Sequence, residues 1–283
     1  MTGILASVPA DRYHADQVGD QPTLSASLAC VLVERSPLHA WTLHPRLNPN
    51  WQPEPPADHF DVGDVVHQAL LEGVNNVEVV EYDNWRTNAA KDARAAAREA
   101  GKIPLLAKDA ADVDQMINAA RDQIVAHQAW PPLLDEGLSE VTLAWVEDGV
   151  HCRARLDWLR DDHTIIDDVK TVAGSARPDV FARQLFKHGY DTKAAFYLRG
   201  VKAVTGVDAL FRWIVIEKTP PYALSVVTPG PDVLALGDAR VTEALRLWKG
   251  CVASNRWPAY DPRVLTVDAP GYELARWEER EAS

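Results

Sequence analysis

Residues 141–172 read VTLAWVEDGVHCRARLDWLRDDHTIIDDVKTV, and their pattern decides the fold class. Apolar and polar residues alternate along most of this stretch, which is typical of β-strands whose two faces differ in burial. Two turn-forming runs, EDG at 147–149 and RDDH at 160–163, interrupt the alternation. The stretch therefore predicts three consecutive strands joined by tight turns.

The second turn determines which side chains of the last two strands lie together. If residues 160–163 close the turn symmetrically, Asp157 lies opposite Ile166 and diagonal to Asp168. Side chains two residues apart share a face, so Asp157, Asp168 and Lys170 lie together, with the aspartates about 7 to 8 Å apart at the backbone. A register shift of one residue would move Asp157 to the opposite face.

Two carboxylates and an ammonium group on strands rich in isoleucine and valine need an explanation. Charged groups are costly to bury unless they pair or bind a metal ion. One interpretation is an ordinary Asp–Lys ion pair, because the short pattern DxK recurs by chance. The other is a site where Asp157 and Asp168 share one divalent cation. The residues alone leave both interpretations open.

The rest of the chain contains helical and strand patterns, which together predict a fold of the α/β (α+β) class. Helical patterns cover residues 25–44 (interrupted at Pro37), 61–73, 84–102, 109–127 (with Asp109 as N-cap), 178–205 (as two helices) and 231–253. Strand patterns cover residues 209–218 and 222–228.

Composition limits the class of protein. With 283 residues, 47% of them hydrophobic and 25% charged, the chain can form one large domain or two closely joined ones. Its first residues lack a basic start, and it has no run of about 18 apolar residues, so we expect a cytoplasmic protein without a membrane span. The three widely spaced cysteines predict buried reduced thiols.

The net charge of −12 argues against indiscriminate binding to polyanions, yet two segments, 84–102 and 177–202, are locally basic. Basic residues of the first segment are spaced to lie along one side of a helix. Such a face is either simply solvated or binds the DNA backbone. The candidate DNA-binding residues are Lys91, Arg94, Arg98, Arg183, Lys187 and Lys193.

Several blocks of the sequence, in their order and spacing, resemble the PD-(D/E)xK nucleases, specifically the RecE-like branch related to exonuclease VIII of prophage recombination systems. The blocks are LSASLACVLVERSPLHAW (24–41), VGDVVHQALLEG (62–73), NWRTNAAKDARAAAREAGKIPLL (84–106), CRARLDWL (152–159), IIDDVKT (165–171), YDTKAAFYLRG (190–200) and RWPAY (256–260). The resemblance covers most of the chain. It implies a restriction-endonuclease-like core with a central mixed β-sheet flanked by helices, in a single nuclease domain over residues 1–283.

The same resemblance implies how the domain is divided and which residues act. Residues 1–60 would form an N-terminal helical or loop extension, 61–255 the nuclease core and 256–283 a C-terminal tail. The implied catalytic residues are Asp157, Asp168 and Lys170, and the implied metal ligands are His67, Asp157, Asp168 and the Val169 carbonyl.

His67 needs its own justification, because a lone helical histidine is more often a half-buried structural residue. It lies in a Gly63-x-x-x-His67 pattern that resembles the family's. Glu72 and Glu140 could each add a ligand, but each is equally consistent with a surface residue. On a regular helix Glu72 is turned well away from the face that His67 occupies.

The chain departs from the family pattern in YDTKAAFY. Related nucleases commonly have a glutamine four residues before the tyrosine, whereas here Lys193 precedes Tyr197. The two residues still share a helix face. Protonated lysine cannot accept a hydrogen bond, so a phosphate contact is its natural role. Tyr197 is either a supporting site residue or a core residue with its hydroxyl at the edge.

The resemblance implies a metal-dependent deoxyribonuclease, and within it a processive 5'-to-3' exonuclease on double-stranded DNA ends. Oxygen ligands suit Mg²⁺ or Mn²⁺. The expected partners are a single-strand annealing protein and further copies of the chain in a ring. One alternative is a helicase- or CRISPR-associated nuclease of the same fold, but these often have a four-cysteine iron-sulfur cluster, which we do not expect here. The other is an inactive DNA-binding scaffold.

Overall fold

The computed structural model describes residues 2–5, 8–52, 60–73 and 76–281. The strands are β1 (Gly3–Leu5), β2 (Leu24–Ser25), β3 (Val77–Val80), β4 (Ile103–Leu106), β5 (Gly137–Glu147), β6 (Val150–Arg160), β7 (Ile165–Val172), β8 (Leu210–Glu217) and β9 (Leu224–Val227). The helices are α1 (Ala10–His14), α2 (Ala26–Glu34), α3 (Pro37–Leu43), α4 (Phe60–Leu71), α5 (Asn88–Glu99), α6 (Ala107–Ala126), α7 (Pro178–Lys187), α8 (Tyr190–Thr205), α9 (Pro231–Ser254) and α10 (Gly271–Glu281).

A seven-stranded mixed sheet forms the centre of the molecule, in the order β1-β5-β6-β7-β8-β9, with β2 paired to β6. The meander predicted from residues 141–172 is confirmed, because β5, β6 and β7 pair antiparallel in sequence. β8 returns parallel to β7 after α7 and α8, and β9 pairs antiparallel with β8. The predicted α/β class and central mixed sheet are therefore confirmed.

Helices cover the sheet from two sides, because its strands bury alternate side chains in two separate cores. Phe211, Trp213 and Val215 of β8 belong to a core with α2, α8 and α9. Ile214 and Ile216 belong to a core with α4 and α6. This alternation is what a strand buried on both faces requires, and it fixes α4 on the opposite side of the sheet from α8.

The N-terminal segment belongs to the main core, although residues 1–60 were expected to form an extension. β1 pairs with β5, β2 pairs with β6, and Leu28 and Leu32 of α2 are buried in the α8/α9 core. The two strands are three and two residues long, too short to show a period in the sequence.

A buried polar cluster ties this segment to the sheet. Arg153 of β6 donates hydrogen bonds to Asp16 Oδ1 at 2.6 Å and to the Thr23 carbonyl at 3.0 Å. Thr23 also donates its amide to Asp16 Oδ2, and His44 Nε2 lies 3.2 Å from the same oxygen. Burial would raise the pKa of Asp16, but His44, Arg153 and Thr23 together lower it.

Three local features differ from expectation or were not foreseen. α6 begins at Ala107, so Asp109 lies in its first turn and is not its N-cap. A second, two-stranded parallel sheet joins β3 to β4, with α5 as the crossover between them. In the tail, Trp257 packs on Trp248 of α9, and α10 follows with every described side chain exposed.

The cysteine prediction is confirmed, since Cys30, Cys152 and Cys251 are free and buried. Of the helices in the described part of the chain, none is both long and apolar enough to span a bilayer.

Candidate metal centre and active site

The candidate site lies where β6 and β7 separate. The predicted register, with Asp157 opposite Ile166, is wrong, because Leu159 pairs with Ile166 and Trp158 with Asp167. The turn is longer than assumed, and Asp162 closes it by accepting hydrogen bonds from the Thr164 amide and hydroxyl. A shift of two residues keeps every side chain on its predicted face.

The β6–β7 backbone pairing ends at Trp158 and Asp167, and beyond this pair a side chain of β6 is hydrogen-bonded to the backbone of β7. Asp157 Oδ2 accepts the hydrogen bond of the Val169 amide at 2.9 Å, so the Asp157 carboxylate is fixed against β7. The Asp157 carboxylate is thereby held rigidly at the point where β6 and β7 diverge, which is called the fork below. This geometry explains why a carboxylate is suited to this position.

The adjacent aspartates of IIDDVKT have different partners. Asp167 accepts hydrogen bonds from Arg212 at 2.5 and 2.7 Å and from the Leu134 amide at 3.0 Å. Asp168 instead forms an ion pair with Lys170. Asp167 is therefore a satisfied structural carboxylate, and Asp168 is the one that belongs to the candidate site.

Lys170 lies among both site aspartates. Its Nζ is in direct contact with Asp168, 3.8 Å from Asp157 Oδ2, and donates a hydrogen bond to the Val169 carbonyl at 3.2 Å. The ring of Tyr190, at the start of α8, lies 5.7 Å away and provides a cation–π contact. Asp157, Asp168 and Lys170 are thus brought together, as their shared strand face predicts.

His67 reaches this group from α4, on the other side of the fork. Its Nε2 lies 3.1 Å from Asp157 Oδ2, and its Nδ1 lies 3.5 Å from Glu140 Oε1. Gly63, one turn earlier, allows the approach of α4, because a Cβ there would lie 3.3 Å from Thr171 Oγ1 on β7. The Gly63-x-x-x-His67 pattern therefore has a packing reason.

Glu140 also belongs to the candidate site, although the sequence alone does not assign it a role. It stands on β5 between the pairs Ser139–Trp158 and Val141–Leu156, opposite Asp157. Its φ of 55° lies in the left-handed region, which interrupts the ladder at this residue alone. Glu72, the other open candidate, is exposed just after α4. A strand alternation assigned from the sequence contains no signal for such a local reversal.

The charges of the site shift the pKa values of its members. Burial opposes the charge on Asp157, but Lys170 and His67 outweigh it and lower the pKa of that carboxyl. Burial raises the pKa of Asp168, and the Asp157 charge adds to this effect. Burial also opposes the charge on Lys170, yet the two aspartates raise its pKa. Of the two aspartates, Asp157 therefore holds its charge more firmly, and both aspartates favour the protonated form of Lys170.

The donor set fits a divalent cation. Single ligand atoms of His67, Glu140 and Asp157 lie within 4.8 Å of one another. Asp168 Oδ1 is buried against the Lys170 ammonium, so this carboxylate stands beside the three-residue group with one oxygen already engaged. Carboxylate oxygens with one imidazole suit Mg²⁺ or Mn²⁺. The Val169 carbonyl, the remaining predicted ligand, accepts from Lys170.

A cleft of about 410 Å³ opens beside these groups. It is lined by residues of α4 and β7 and by the residue that follows β8, namely Gly63, Asp64, His67, Val169, Lys170, Thr171 and Lys218. The site is thus accessible from solvent through a cleft that carries two lysines.

A family model described as a PDDEXK-like domain of unknown function (DUF3799) matches residues 36–264. The chain belongs to this family. A candidate exonuclease from Eubacterium rectale has a similar structure, with a TM-score of 0.58 at 15% identity over 95% of this chain and 98% of the other. A phage-related exonuclease from Haemophilus somnus 129PT aligns at a TM-score of 0.31 and 10% identity, over 86% and 99% of the two chains. A search of curated proteins found no match.

The PDDEXK fold places the unusual Lys193 beside the site. Its Nζ lies 5.5 Å from the centre of the Tyr190 ring, which Lys170 also approaches, and its charge acts to lower the pKa of Asp168. Tyr197, one turn later, is half-buried against the core and stacks on Phe211. Tyr190 was not singled out from the sequence, although it begins the YDTKAAFY block.

The other candidate DNA-binding residues of this PDDEXK-like chain lie on two further helices, α5 and α7. Lys91, Arg94 and Arg98 are on α5, where Lys91 is exposed and the Arg94 guanidinium lies 5.2 Å from the centre of the Trp85 ring. Arg183 and Lys187 are exposed on α7.

Proposed function

We propose that this protein is a metal-dependent nuclease that hydrolyses phosphodiester bonds in DNA. The observation that carries the proposal is the convergence of Asp157, Asp168, Lys170 and His67 at one fork of a PDDEXK fold. An isolated Asp–Lys ion pair would not require an imidazole and a further carboxylate, Glu140, beside it.

His67, Asp157, Asp168 and Glu140 would hold the cation, and the Val169 carbonyl is an additional candidate ligand. A bound Mg²⁺ or Mn²⁺ would neutralise charge on the phosphate and lower the pKa of a water molecule. Asp157 is suited to bind the cation, because its lowered pKa favours the ionised carboxylate. A hydrogen bond from the Val169 amide fixes the orientation of this carboxylate.

Lys170 acts as a cation in this scheme. The two aspartates raise its pKa, so it keeps its proton and orients the attacking water or stabilises charge developing on the phosphoryl oxygens. Removal of the water proton then requires a different group. A cation held by His67, Asp157 and Asp168 would assist that step by lowering the pKa of the water.

Basic side chains around the cleft would bind the phosphates on either side of the scissile bond. Lys193 lies beside Tyr190 at the site, and Lys218 lines the cleft itself. The α5 residues Lys91, Arg94 and Arg98 and the α7 residues Arg183 and Lys187 would hold more distant phosphates. This local distribution reconciles a net charge of −12 with a polyanionic substrate.

The finer assignment is a processive 5'-to-3' exonuclease that digests double-stranded DNA ends during phage-type recombination in the cytoplasm. It is supported by the RecE-like order of the sequence blocks, and the candidate exonuclease from Eubacterium rectale has the same fold. A ring of identical chains would keep the enzyme on its substrate. A single-strand annealing protein would bind the strand that remains.

Digestion of linear duplexes labelled at the 5' or the 3' end tests this assignment. With Mg²⁺, we expect early release of the 5' label, retention of the 3' label, and no digestion of closed circles. With EDTA, no label should be released. Early release of the 3' label would overturn the polarity, and absence of any cleavage with Mg²⁺ or Mn²⁺ would identify an inactive scaffold.

A further inference from the structure

Glu140 has a backbone conformation that glutamate seldom adopts. Its φ is 55°, while the residues on either side keep their strand pairing with β6. Nothing in a glutamate side chain favours the left-handed region, so surrounding contacts must hold it there. Locally strained residues concentrate at functional sites, so the contacts of Glu140 bear on its role.

Arg155, on β6, holds the side-chain carboxylate of Glu140. Arg155 Nε donates a hydrogen bond to Glu140 Oε2, while Oε1 of the same carboxylate faces His67 Nδ1. The side chains of Arg155 and Glu140 are only 17% and 22% exposed, so water competes little for this pair. One carboxylate oxygen is thus occupied by arginine, and the other is directed at the metal-ligand cluster.

The guanidinium is fixed in turn by the N-terminal segment. Arg155 Nη1 donates to the Val8 carbonyl at 2.7 Å and lies within 3.4 Å of Thr142 Oγ1. The guanidinium carbon also lies 6.0 Å from the centre of the Tyr13 ring. Residues 8–13 therefore contact the site through one side chain, across 147 positions of sequence in the case of Val8.

We infer that Arg155 is a positioning residue that presents Glu140 to the divalent cation and couples the N-terminal segment to the metal site. The inference rests on the proposed metal-dependent function. Arg155 blocks rotation of the carboxylate, so the ordering of Glu140 is complete before the cation arrives. Its charge also offsets part of the repulsion between Glu140 and Asp157 in the metal-free protein.

Titration of the full-length, DNA-free protein with Mn²⁺ by isothermal titration calorimetry tests this role. Arg155→Gln should weaken Mn²⁺ binding about 10-fold or more, the effect expected for a residue that orients a ligand. Arg199→Gln is the matched control, because Arg199 pairs with Glu147 at the far end of β5 and should leave Mn²⁺ affinity unchanged. Circular dichroism in EDTA should show both variants folded.

A double-mutant cycle separates positioning from general damage to the fold. If Arg155 acts through Glu140, adding Arg155→Gln to a Glu140→Gln variant should cause no further loss of Mn²⁺ affinity. Arg155→Lys, which keeps the charge without the planar fork, should restore only part of the affinity. Losses that add in the double variant, or wild-type affinity in Arg155→Gln, would overturn the inference.

Binding and cleavage are measured separately so that the two proposals can fail separately. Mn²⁺ binding that depends on Arg155, in a protein that does not cut DNA, would refute the proposed nuclease and support the positioning role. Mn²⁺-dependent cleavage by a wild type whose metal affinity is unaffected by Arg155→Gln would refute the positioning role alone.

Discussion

Asp167 and Asp168 are consecutive in β7, yet Asp167 is bound by Arg212 at 2.5 Å while Asp168 pairs with Lys170 at the candidate site. Successive side chains of a strand point to opposite faces, so one peptide bond separates a structural carboxylate from one at the candidate site. The doublet in the sequence therefore contains two unrelated roles.

Substitution of each aspartate by asparagine should separate these roles. Asp168→Asn should lower cleavage by about 100-fold or more while the free energy of unfolding stays within about 1 kcal/mol of wild type, since it relieves a crowded acidic group. Asp167→Asn should lower the free energy of unfolding by about 3 kcal/mol, because Arg212 loses its charged partner. Urea unfolding and cleavage rates per folded molecule measure both. Exchanged effects would reverse the assignment.

Gly63→Ala should impair cleavage without destabilising the protein. The new Cβ would lie 3.3 Å from Thr171 Oγ1, so α4 must move by a few tenths of an ångström and carry His67 with it. Alanine favours a helix over glycine by about 1 kcal/mol, which offsets the cost of the contact. We expect a several-fold lower cleavage rate with an unchanged melting temperature.

A second-site substitution checks the cause of that effect. Thr171→Ala removes Oγ1, the atom that the new methyl group would meet. The double variant Gly63→Ala/Thr171→Ala should therefore recover most of the cleavage rate that Gly63→Ala loses, relative to Thr171→Ala alone. A double variant no faster than Gly63→Ala would show that the spacing of α4 and β7 is not the reason.

The α5 face should bind DNA backbone without reading sequence. Replacement of Lys91, Arg94 and Arg98 by glutamine should flatten the dependence of log affinity on log salt by about 0.9 for each phosphate that is no longer neutralised. DNA affinity is measured across salt concentrations in Ca²⁺, to suppress cleavage. Superimposed lines would mean that α5 is only a solvated surface and would favour α7.

A charge-matched variant controls for the removal of three cations. Lys249, Arg256 and Arg280 are exposed on other parts of the molecule, and their replacement by glutamine should leave the salt dependence unchanged. Arg94→Lys/Arg98→Lys, which keeps both charges, should also retain the wild-type slope, although the favoured stacking of Arg94 on Trp85 is weakened.

The buried Asp16 should make stability depend on acid pH. Its folded-state pKa is lowered below the ordinary 3.8, so it stabilises the fold above that value and loses this effect as pH falls through the folded pKa. Asp16→Asn should cost about 3 kcal/mol at pH 7, leaving Arg153 buried without its anion. Chemical unfolding from pH 7 to 3 should show the gap from wild type narrowing below about pH 4. A constant gap would mean that Asp16 is not ionised in the fold.

The sequence was sufficient to predict features that recur periodically along a strand or a helix. Alternation in residues 141–172 was sufficient for β5, β6 and β7, and a shift in register of two residues left Asp157, Asp168 and Lys170 on the expected face. The resemblance of the Gly63-x-x-x-His67 block to the nuclease family indicated the histidine that reaches Asp157.

What the sequence could not predict depends on single, non-periodic events. The length of the turn after Arg160 is set by the Asp162 side chain binding Thr164, so symmetric closure was the wrong assumption. Glu140 has a left-handed backbone conformation, and its carboxylate pairs with Arg155, which lies 15 positions away. Neither feature follows from a periodic pattern: the turn depends on a local side-chain hydrogen bond, and the conformation of Glu140 occurs beside a contact between two strands.

Val8 touches Arg155 across 147 positions, and His67 meets Asp157 only after α4 has docked on a sheet formed much later in the chain. Contacts between such distant segments form slowly, because closing a long loop costs conformational entropy before the contact is made. The local meander can assemble first, and the ligand cluster is complete only when α4 and the N-terminal segment have joined it. A nascent chain would thus lack the proposed nuclease site until its folding is finished.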